Sequence, residues 1–167
     1  MNKSRTVIRR HQYADYLNVG TADAAKWVLM GTGFTTLDEE PGAQTESVKY
    51  VNEVSSSSSI VSYETTFPFE AEQIATEEAI TAIYEVGRNH YVGADAEFEY
   101  CRVELWTPAG AAEDAGHSFE ARKFVVAVEV SDFTGENKMT ISGNLNAVGD
   151  PILGTFDTTA LAFAPAA

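Results

Sequence analysis

The sequence predicts a mainly β fold, a β-sandwich or partial barrel with one α-helix packed against it. Two patterns carry this prediction. Most of the chain alternates apolar and polar residues with the period of two that half-buried strands show. One segment, residues 76–89, instead repeats its apolar residues at helical spacing. The length of 167 residues suits a single domain that buries its core without disulfide or metal support.

The first ten residues differ in charge from the rest of the chain. The whole chain has 25 acids and 11 bases, a net charge of −14, yet these ten residues contain no acid and four bases, Lys3, Arg5, Arg9 and Arg10. We therefore divide the chain into a basic arm and lead-in, residues 1–20, and one acidic β domain, residues 21–167. The arm is either a solvated tail or a segment that contacts acids of a neighbouring copy. The acidic body argues against direct DNA binding, which usually needs a basic face.

The first half of the domain predicts three strands. Trp27–Met30 is a short apolar run closed by Gly31-Thr32-Gly33, and residues 37–42 form a turn around Pro-Gly. Residues 48–54 and 61–69 alternate as two strands of a hairpin. Its flexible tip is the serine run Ser55, Ser56, Ser57, Ser58 and Ser59.

The helix is predicted from about Thr76 to Asn89. Thr76 is the expected N-cap, and two glutamates follow in the first turn, where the helix dipole favours negative charge. The apolar stripe that would pack on the sheet consists of Ile80, Ile83, Tyr84 and Gly87.

The second half predicts further strands. The apolar parity changes after Tyr100, which suggests a bulge near Cys101 and Arg102. A small-residue loop over 107–118 precedes a long strand over 119–130. Another strand begins near Ile141 and ends at a Gly149–Pro151 turn, and residues 152–156 and 161–163 form a last hairpin.

No catalytic motif is present in the sequence. His11, His90 and His117 are far apart and show no zinc-hydrolase spacing, and Cys101 is the only cysteine. The chain also lacks a nucleophile elbow and a phosphate-binding loop. The longest strongly apolar run is too short for a membrane span. We therefore expect a protein that is not an enzyme, binds no cofactor or metal and does not enter a membrane.

Several segments together resemble the major tail tube proteins of long-tailed, siphovirus-type phages of Gram-positive hosts. The resemblance is carried by their order and spacing along most of the chain. They are residues 27–31, 49–52, 62–64, 67–70, 83–88, 121–124, 127–131 and 143–151, with Gly154–Asp157 after the last, most specific one.

The resemblance implies hexameric rings stacked into a tube that conducts DNA without binding it specifically. It implies partners among other tail proteins (tape measure, tail terminator and distal tail) and a location in the virion tail after assembly in the host cytoplasm. An acidic wall would keep DNA mobile, and the expected lumen acids are Glu53, Glu64 and Glu70. The candidate ring-stacking residues are the serine run, Ser55, Ser56, Ser57, Ser58 and Ser59, and the bases of the arm, Lys3, Arg5, Arg9 and Arg10. Two alternatives stay open. One is a bacterial secretion-type tube protein. The other is a monomeric β-sandwich binding module, for instance for carbohydrate, with Trp27 and Trp106 as its platform.

Overall fold

The computed structural model describes residues 6–21, 23–109 and 116–166. In these residues, ten strands and one α-helix follow each other along the chain. The strands are β1 Tyr13–Asn18, β2 Trp27–Leu29, β3 Phe34–Leu37, β4 Ala43–Val48, β5 Ser57–Tyr63, β6 Thr66–Glu72, β7 Glu97–Pro108, β8 Ser118–Thr134, β9 Thr140–Asp157 and β10 Ala162–Pro165. The helix α1 spans Glu78–Asn89, and short 3-10 turns lie at Arg10–Gln12 and Gly93–Ala96.

Eight of the strands form one antiparallel sheet that is curled into a half-barrel. Its order is β2-β1-β7-β8-β9-β6-β3, and β10 pairs with the far end of β9. The remaining strands, β4 and β5, form a separate two-stranded hairpin. The mainly β prediction with one flanking helix is therefore confirmed.

Two apolar clusters lie on opposite faces of the sheet. We call the side that carries α1 the helix face, because Ile80, Ile83 and Val86 pack there against β6, β8 and β9. Strand residues on the helix face include Phe67, Phe69, Tyr100, Phe124, Val126, Ile141 and Leu145. The opposite side is the outer face, and half of it is covered by the second cluster, Ala14, Tyr16, Trp27, Cys101, Val103, Ala121 and Phe156.

The two-sided burial explains a wrong bulge prediction. β7 pairs regularly with β8 from Glu97 to Glu104, and its register shift lies between Glu104 and Pro108, not near Cys101 and Arg102. Tyr100 is buried on the helix face and Cys101 on the outer face. Apolar residues of both parities therefore follow each other in one regular strand.

The Gly149–Pro151 turn is also wrong, because β9 continues through it. β8 pairs with β9 on both sides, Lys123 with Ile152 and Val125 with Val148, so three residues of β9 face the single residue Phe124. This is a bulge, where a glycine with φ of 78° and a proline without N–H are tolerated. The predicted last hairpin is confirmed by the pairing of β9 with β10.

Two other boundaries differ from the sequence prediction. The helix begins at Glu78, and Glu77 rather than Thr76 occupies the N-cap, because the Glu77 N–H donates to Ile74 O (3.1 Å) and completes a turn just before the helix. Tyr13–Asn18, expected in the lead-in, is the buried strand β1 between β2 and β7. Part of the lead-in therefore belongs to the sheet.

Gly87 allows the helix to approach the sheet closely. A Cβ added there would lie 2.8 Å from Phe133 Cζ and 2.9 Å from Val130 Cβ, and Val130 belongs to a strand that cannot move aside. The neighbouring Tyr84 ring packs edge-on against Phe133, with 5.6 Å between ring centroids. The predicted stripe thus includes one position that must stay small.

We expect Gly87→Ala to lower the melting temperature, although alanine is favoured over glycine in helices by about 1 kcal/mol. Overpacking of a close contact costs roughly 1–3 kcal/mol, which outweighs that gain. The matched control is Glu85→Ala, on the exposed side of the same helix. Thermal unfolding followed by circular dichroism compares them. A Gly87→Ala protein that melts at or above the parent temperature would contradict the proposed tight contact.

Candidate functional site: assembly surfaces

The β4–β5 hairpin has the features of an interaction element. All of its six and seven strand residues are exposed, so the strands do not pack on their own subunit. The segment nevertheless carries large apolar side chains at exposed positions, Val48, Tyr50, Val51, Val54, Ile60, Val61 and Tyr63. An isolated two-stranded hairpin is only marginally stable in water. The exposed apolar residues therefore indicate a partner surface.

The base of the hairpin is closed by backbone hydrogen bonds. Glu40 and Thr66 exchange both of theirs, and the Glu64 N–H donates to Gly42 O at 2.9 Å. Gly42 has φ of 65°, and a Cβ there would collide with the carbonyl of Glu64. The hairpin is thus an appendage that begins and ends at one fixed point of the body.

The serine run does not form the hairpin tip as predicted. Ser57, Ser58 and Ser59 are strand residues of β5, opposite Val48, Ser47 and Glu46. Ser47 Oγ and Ser58 Oγ lie 2.9 Å apart across the strands. The connecting segment is instead residues 49–56, which includes Ser55 and Ser56 together with apolar Tyr50, Val51 and Val54. The strand predicted over residues 48–54 lies earlier, at Ala43–Val48.

The uncovered half of the outer face is rich in acids and amides. These side chains alternate with the buried ones of β6, β7, β8 and β9 and are Glu70, Glu72, Glu97, Glu99, Glu129, Asp132, Asn144 and Asn146. Asn146 Nδ2 donates to Glu129 Oε2 at 2.9 Å. Two lysines compensate part of the charge, Lys123 with Glu99 (3.3 Å) and Lys138 with Glu72 (3.5 Å). We call this surface the acidic face.

Only one of the three predicted lumen acids lies on the acidic face. Glu70 is exposed there, opposite Ser142 of β9. Glu53 lies in the connecting segment of the hairpin, where its carboxylate accepts the Tyr50 N–H (3.3 Å), and Glu64 lies at the hairpin base. The sequence prediction missed Glu97 and Glu129. Their alternation with buried Val128 and partly buried Phe98 and Val130 was the signal that could have found them.

The predicted basic residues separate into two groups. Lys3 and Arg5 lie outside the described residues. Arg10 is tied to its own subunit, since its Nη2 donates to Asp15 Oδ2 (2.7 Å) and to Leu37 O (3.0 Å). Arg9 is exposed, and its backbone N–H donates to Gln12 Oε1. Arg10 thus connects β1 with the end of β3, the two sides of the half-barrel opening.

A buried charge network lies behind Arg10 on the helix face. Asp15 and Arg102 are adjacent in the β1–β7 register and are almost fully buried. Asp15 accepts a hydrogen bond from the Tyr100 hydroxyl, and Arg102 Nη1 lies 3.6 Å from Asp15 Oδ1. The Arg102 guanidinium also stacks 4.4 Å from the centroid of the Tyr13 ring. Burial, followed by the Asp15 charge, raises the pKa of Tyr100 well above its ordinary value, so this hydroxyl is a donor.

Next to this network, Arg122 is opposite Arg102 in the β7–β8 register and pairs with Glu39 (2.6 Å), which follows β3. The network therefore joins β1, β7 and β8 to the segment around β3. It has the character of a structural clamp, because every acid in it is already paired with a guanidinium.

The side chains of types that react or bind metals are otherwise scattered over the described residues. Burial, with a smaller contribution from Asp15, raises the pKa of the Cys101 thiol to about 12, which leaves it unreactive. Across residues 6–21, 23–109 and 116–166, no three His, Cys, Asp or Glu side chains cluster as metal ligands. In the same ranges, no helix is long and apolar enough to cross a membrane.

The two tryptophans do not form an exposed platform. Trp27 is 5% exposed and packs edge-on against Phe156 in the outer-face cluster. Trp106 is half-buried, and its ring lies 4.7 Å from that of Tyr13, centroid to centroid. This arrangement weakens the binding-module alternative, which needs stacking surfaces open to solvent.

The comparisons with known proteins give a fold relationship only. No protein-family model matches the chain, and no curated protein matches it. Among solved structures, the chain is similar to a protein in the cryo-EM structure of the anti-feeding prophage (AFP) baseplate, 6-fold symmetrised. The match has a TM-score of 0.50 and 7% sequence identity, and it covers 93% of this chain and 99% of that chain. This chain thus shares its fold with a protein of that baseplate.

Proposed function

We propose that this chain is a structural protein of a phage-type tail, which assembles into hexameric rings stacked as a DNA-conducting tube. The observation that carries the proposal is the β4–β5 hairpin, an exposed appendage with apolar residues that its own subunit leaves in water. The fold similarity to a protein of a six-fold symmetrised baseplate supports the same reading. In this proposal the chain has no enzymatic activity and works with other tail proteins.

The acidic face supports the role of a conduit. Duplex DNA carries about one negative charge per 1.7 Å of its axis, so a wall of carboxylates repels it and lets it slide. If six copies turn this face towards a common axis, Glu70, Glu97 and Glu129 line the channel. Their amide neighbours keep the wall polar without adding positive charge. Glu53 and Glu64 would then lie at the joints between subunits, because they belong to the hairpin and its base.

The alternative assignments predict different particles. A secretion-type tube protein shares the ring but would not carry DNA, while a monomeric binding module forms no ring.

Sedimentation velocity across protein concentration and salt tests the proposal first. We expect growth from monomer to particles of six subunits and multiples of six. A single monomeric species at every concentration and salt would overturn the proposed function.

We expect the double variant Glu70→Lys/Glu129→Lys to assemble like the parent but to retain duplex DNA. Both side chains are exposed on the acidic face, so the fold should tolerate the change. Four units of charge change per subunit would turn repulsion into attraction that weakens steeply with salt. Co-sedimentation of labelled duplex DNA with assembled particles measures retention. Glu85→Lys, on the exposed side of the helix, is the control and should retain little DNA. Equal retention by both proteins would remove the acidic face from the channel.

A further inference from the structure

A cleft opens where the two sides of the half-barrel approach each other. Its volume is about 980 Å³, and it lies between β1 and β2 on one side and β3 on the other. Strand β2 pairs with only the last three residues of β1, which leaves the first half of β1 beside the cleft. The apolar lining consists of Leu29, Met30, Phe34, Leu37, Leu105 and Phe119. Leu29 is 53% exposed and is the lining residue most open to an incoming group, whereas Met30 and Leu37 are buried.

Arg9, Arg10 and His11 follow each other along the rim of this cleft, and Asp15, which pairs with Arg10, also lines it. Among the residues that the structure describes, most other bases are paired with acids of their own subunit, whereas Arg9 is in no ion pair. Two copies of a chain with a net charge of −14 repel each other over most orientations. Arg9 is therefore the base at the cleft rim that an acid of a second copy can approach with favourable charge.

The connecting segment of the hairpin, residues 49–56, forms the hairpin tip, and its exposed apolar residues match the apolar lining of the cleft. Val51 and Val54 are almost fully exposed, and Tyr50 is 61% exposed. Acids of the hairpin, Glu46 and Glu53, outnumber its single base, Lys49. The volume of the cleft is in the range of pockets that enclose a drug-sized ligand. It is therefore large enough to hold a few side chains such as those of Val51 and Val54.

We propose that the cleft between β1, β2 and β3 receives the hairpin tip, residues 49–56, of a second copy of this chain. The inference rests on the proposed function, because it assumes self-assembly. Tip and cleft are different surfaces of the chain, so the contact is heterologous and repeats from copy to copy. Such a contact closes into rings or continues as a stack, and it ends at a two-fold dimer only if two copies exchange their tips reciprocally.

Chemical cross-linking tests this contact with two single-cysteine variants, Val51→Cys in the tip and Leu29→Cys in the cleft. Both positions are exposed, so both variants should fold, and buried Cys101 can stay in place. The variants are mixed under assembling conditions and treated with a short bismaleimide, and a longer tag on one of them identifies mixed dimers. Val92→Cys, 78% exposed beyond the end of α1, replaces Leu29→Cys in the matched control.

We expect at least tenfold more mixed dimer with Leu29→Cys than with Val92→Cys. If particles form in sedimentation but the two yields are equal, the cleft is not the docking site, while the proposed function stands. If the protein stays monomeric at every concentration, a second copy cannot be the occupant, and the proposed function falls with it. Leu29→Glu provides a second readout, since it should suppress particle formation at unchanged melting temperature, and normal assembly of this variant would also overturn the contact.

Discussion

Replacing Asp15 with alanine should destabilise the protein more than any other single change considered, by about 3–5 kcal/mol. The change removes the carboxylate that pairs with Arg102 and accepts the Tyr100 hydroxyl, and it leaves a buried guanidinium without a counter-charge. A folded domain typically has only about 5–15 kcal/mol of stability. For a chain of this size the loss corresponds to a melting temperature lower by roughly 6–20 °C.

Two further variants separate charge pairing from packing in this network. Arg10→Ala removes the other partner of Asp15, but half of the Arg10 side chain is in solvent, so we expect a cost of at most about 1 kcal/mol. The double variant Asp15→Ala/Arg102→Met removes both buried charges and should melt above Asp15→Ala alone. Urea unfolding measures all three variants. An Asp15→Ala protein as stable as the parent would show that the Arg102 charge is solvated, against the burial described above.

Removal of the hairpin should abolish assembly and leave the body folded. The Glu64 N–H to Gly42 O hydrogen bond is the one that a four-residue β-turn would make if two residues joined Gly42 to Glu64. Replacing residues 43–63 by Asn-Gly therefore closes the chain in a favourable type I′ turn. We expect an unchanged melting temperature, because no strand residue of the hairpin is buried.

The control for this deletion keeps the hairpin and changes only its polar surface. Ser58→Ala/Ser59→Ala alters two exposed strand residues without touching the apolar positions of the connecting segment. We expect this variant to assemble like the parent in sedimentation, whereas the deletion variant stays monomeric at the highest concentration reached. Particles formed by the deletion variant would show that assembly depends on another surface.

Local sequence patterns predicted several elements without any knowledge of their neighbours. The helix, the strand β2, the long strand β8 and the last hairpin follow from period and turn residues alone. Strand β1 was missed because it is buried on both faces, so Ala14, Asp15, Tyr16 and Leu17 show no alternation. The Gly149–Pro151 bulge was missed for a similar reason, since only the pairing with β8 on both sides distinguishes it from a turn.

The assembly surfaces were harder to predict than the strands and the helix, because they depend on tertiary structure. A hairpin was expected near residue 55, but only the folded chain shows that all its strand residues are exposed. Glu70 was predicted as a lumen acid and lies on the acidic face, whereas Glu129 and Glu97 join it there only through the β6-β9-β8-β7 order. The Asp15–Arg102 pair joins residues 87 positions apart, and no spacing rule connects them before the register of β1 and β7 is known.

Negative-stain electron microscopy of the purified, concentrated protein tests the central claim most directly. Self-assembly through the hairpin predicts end-on views of rings with six subunits around an open channel, and side views of stacked rings. The deletion variant, imaged at the same concentration, should show no such particles. Fields of separate monomers for the parent protein, or closed two-fold dimers without a channel, would contradict the account.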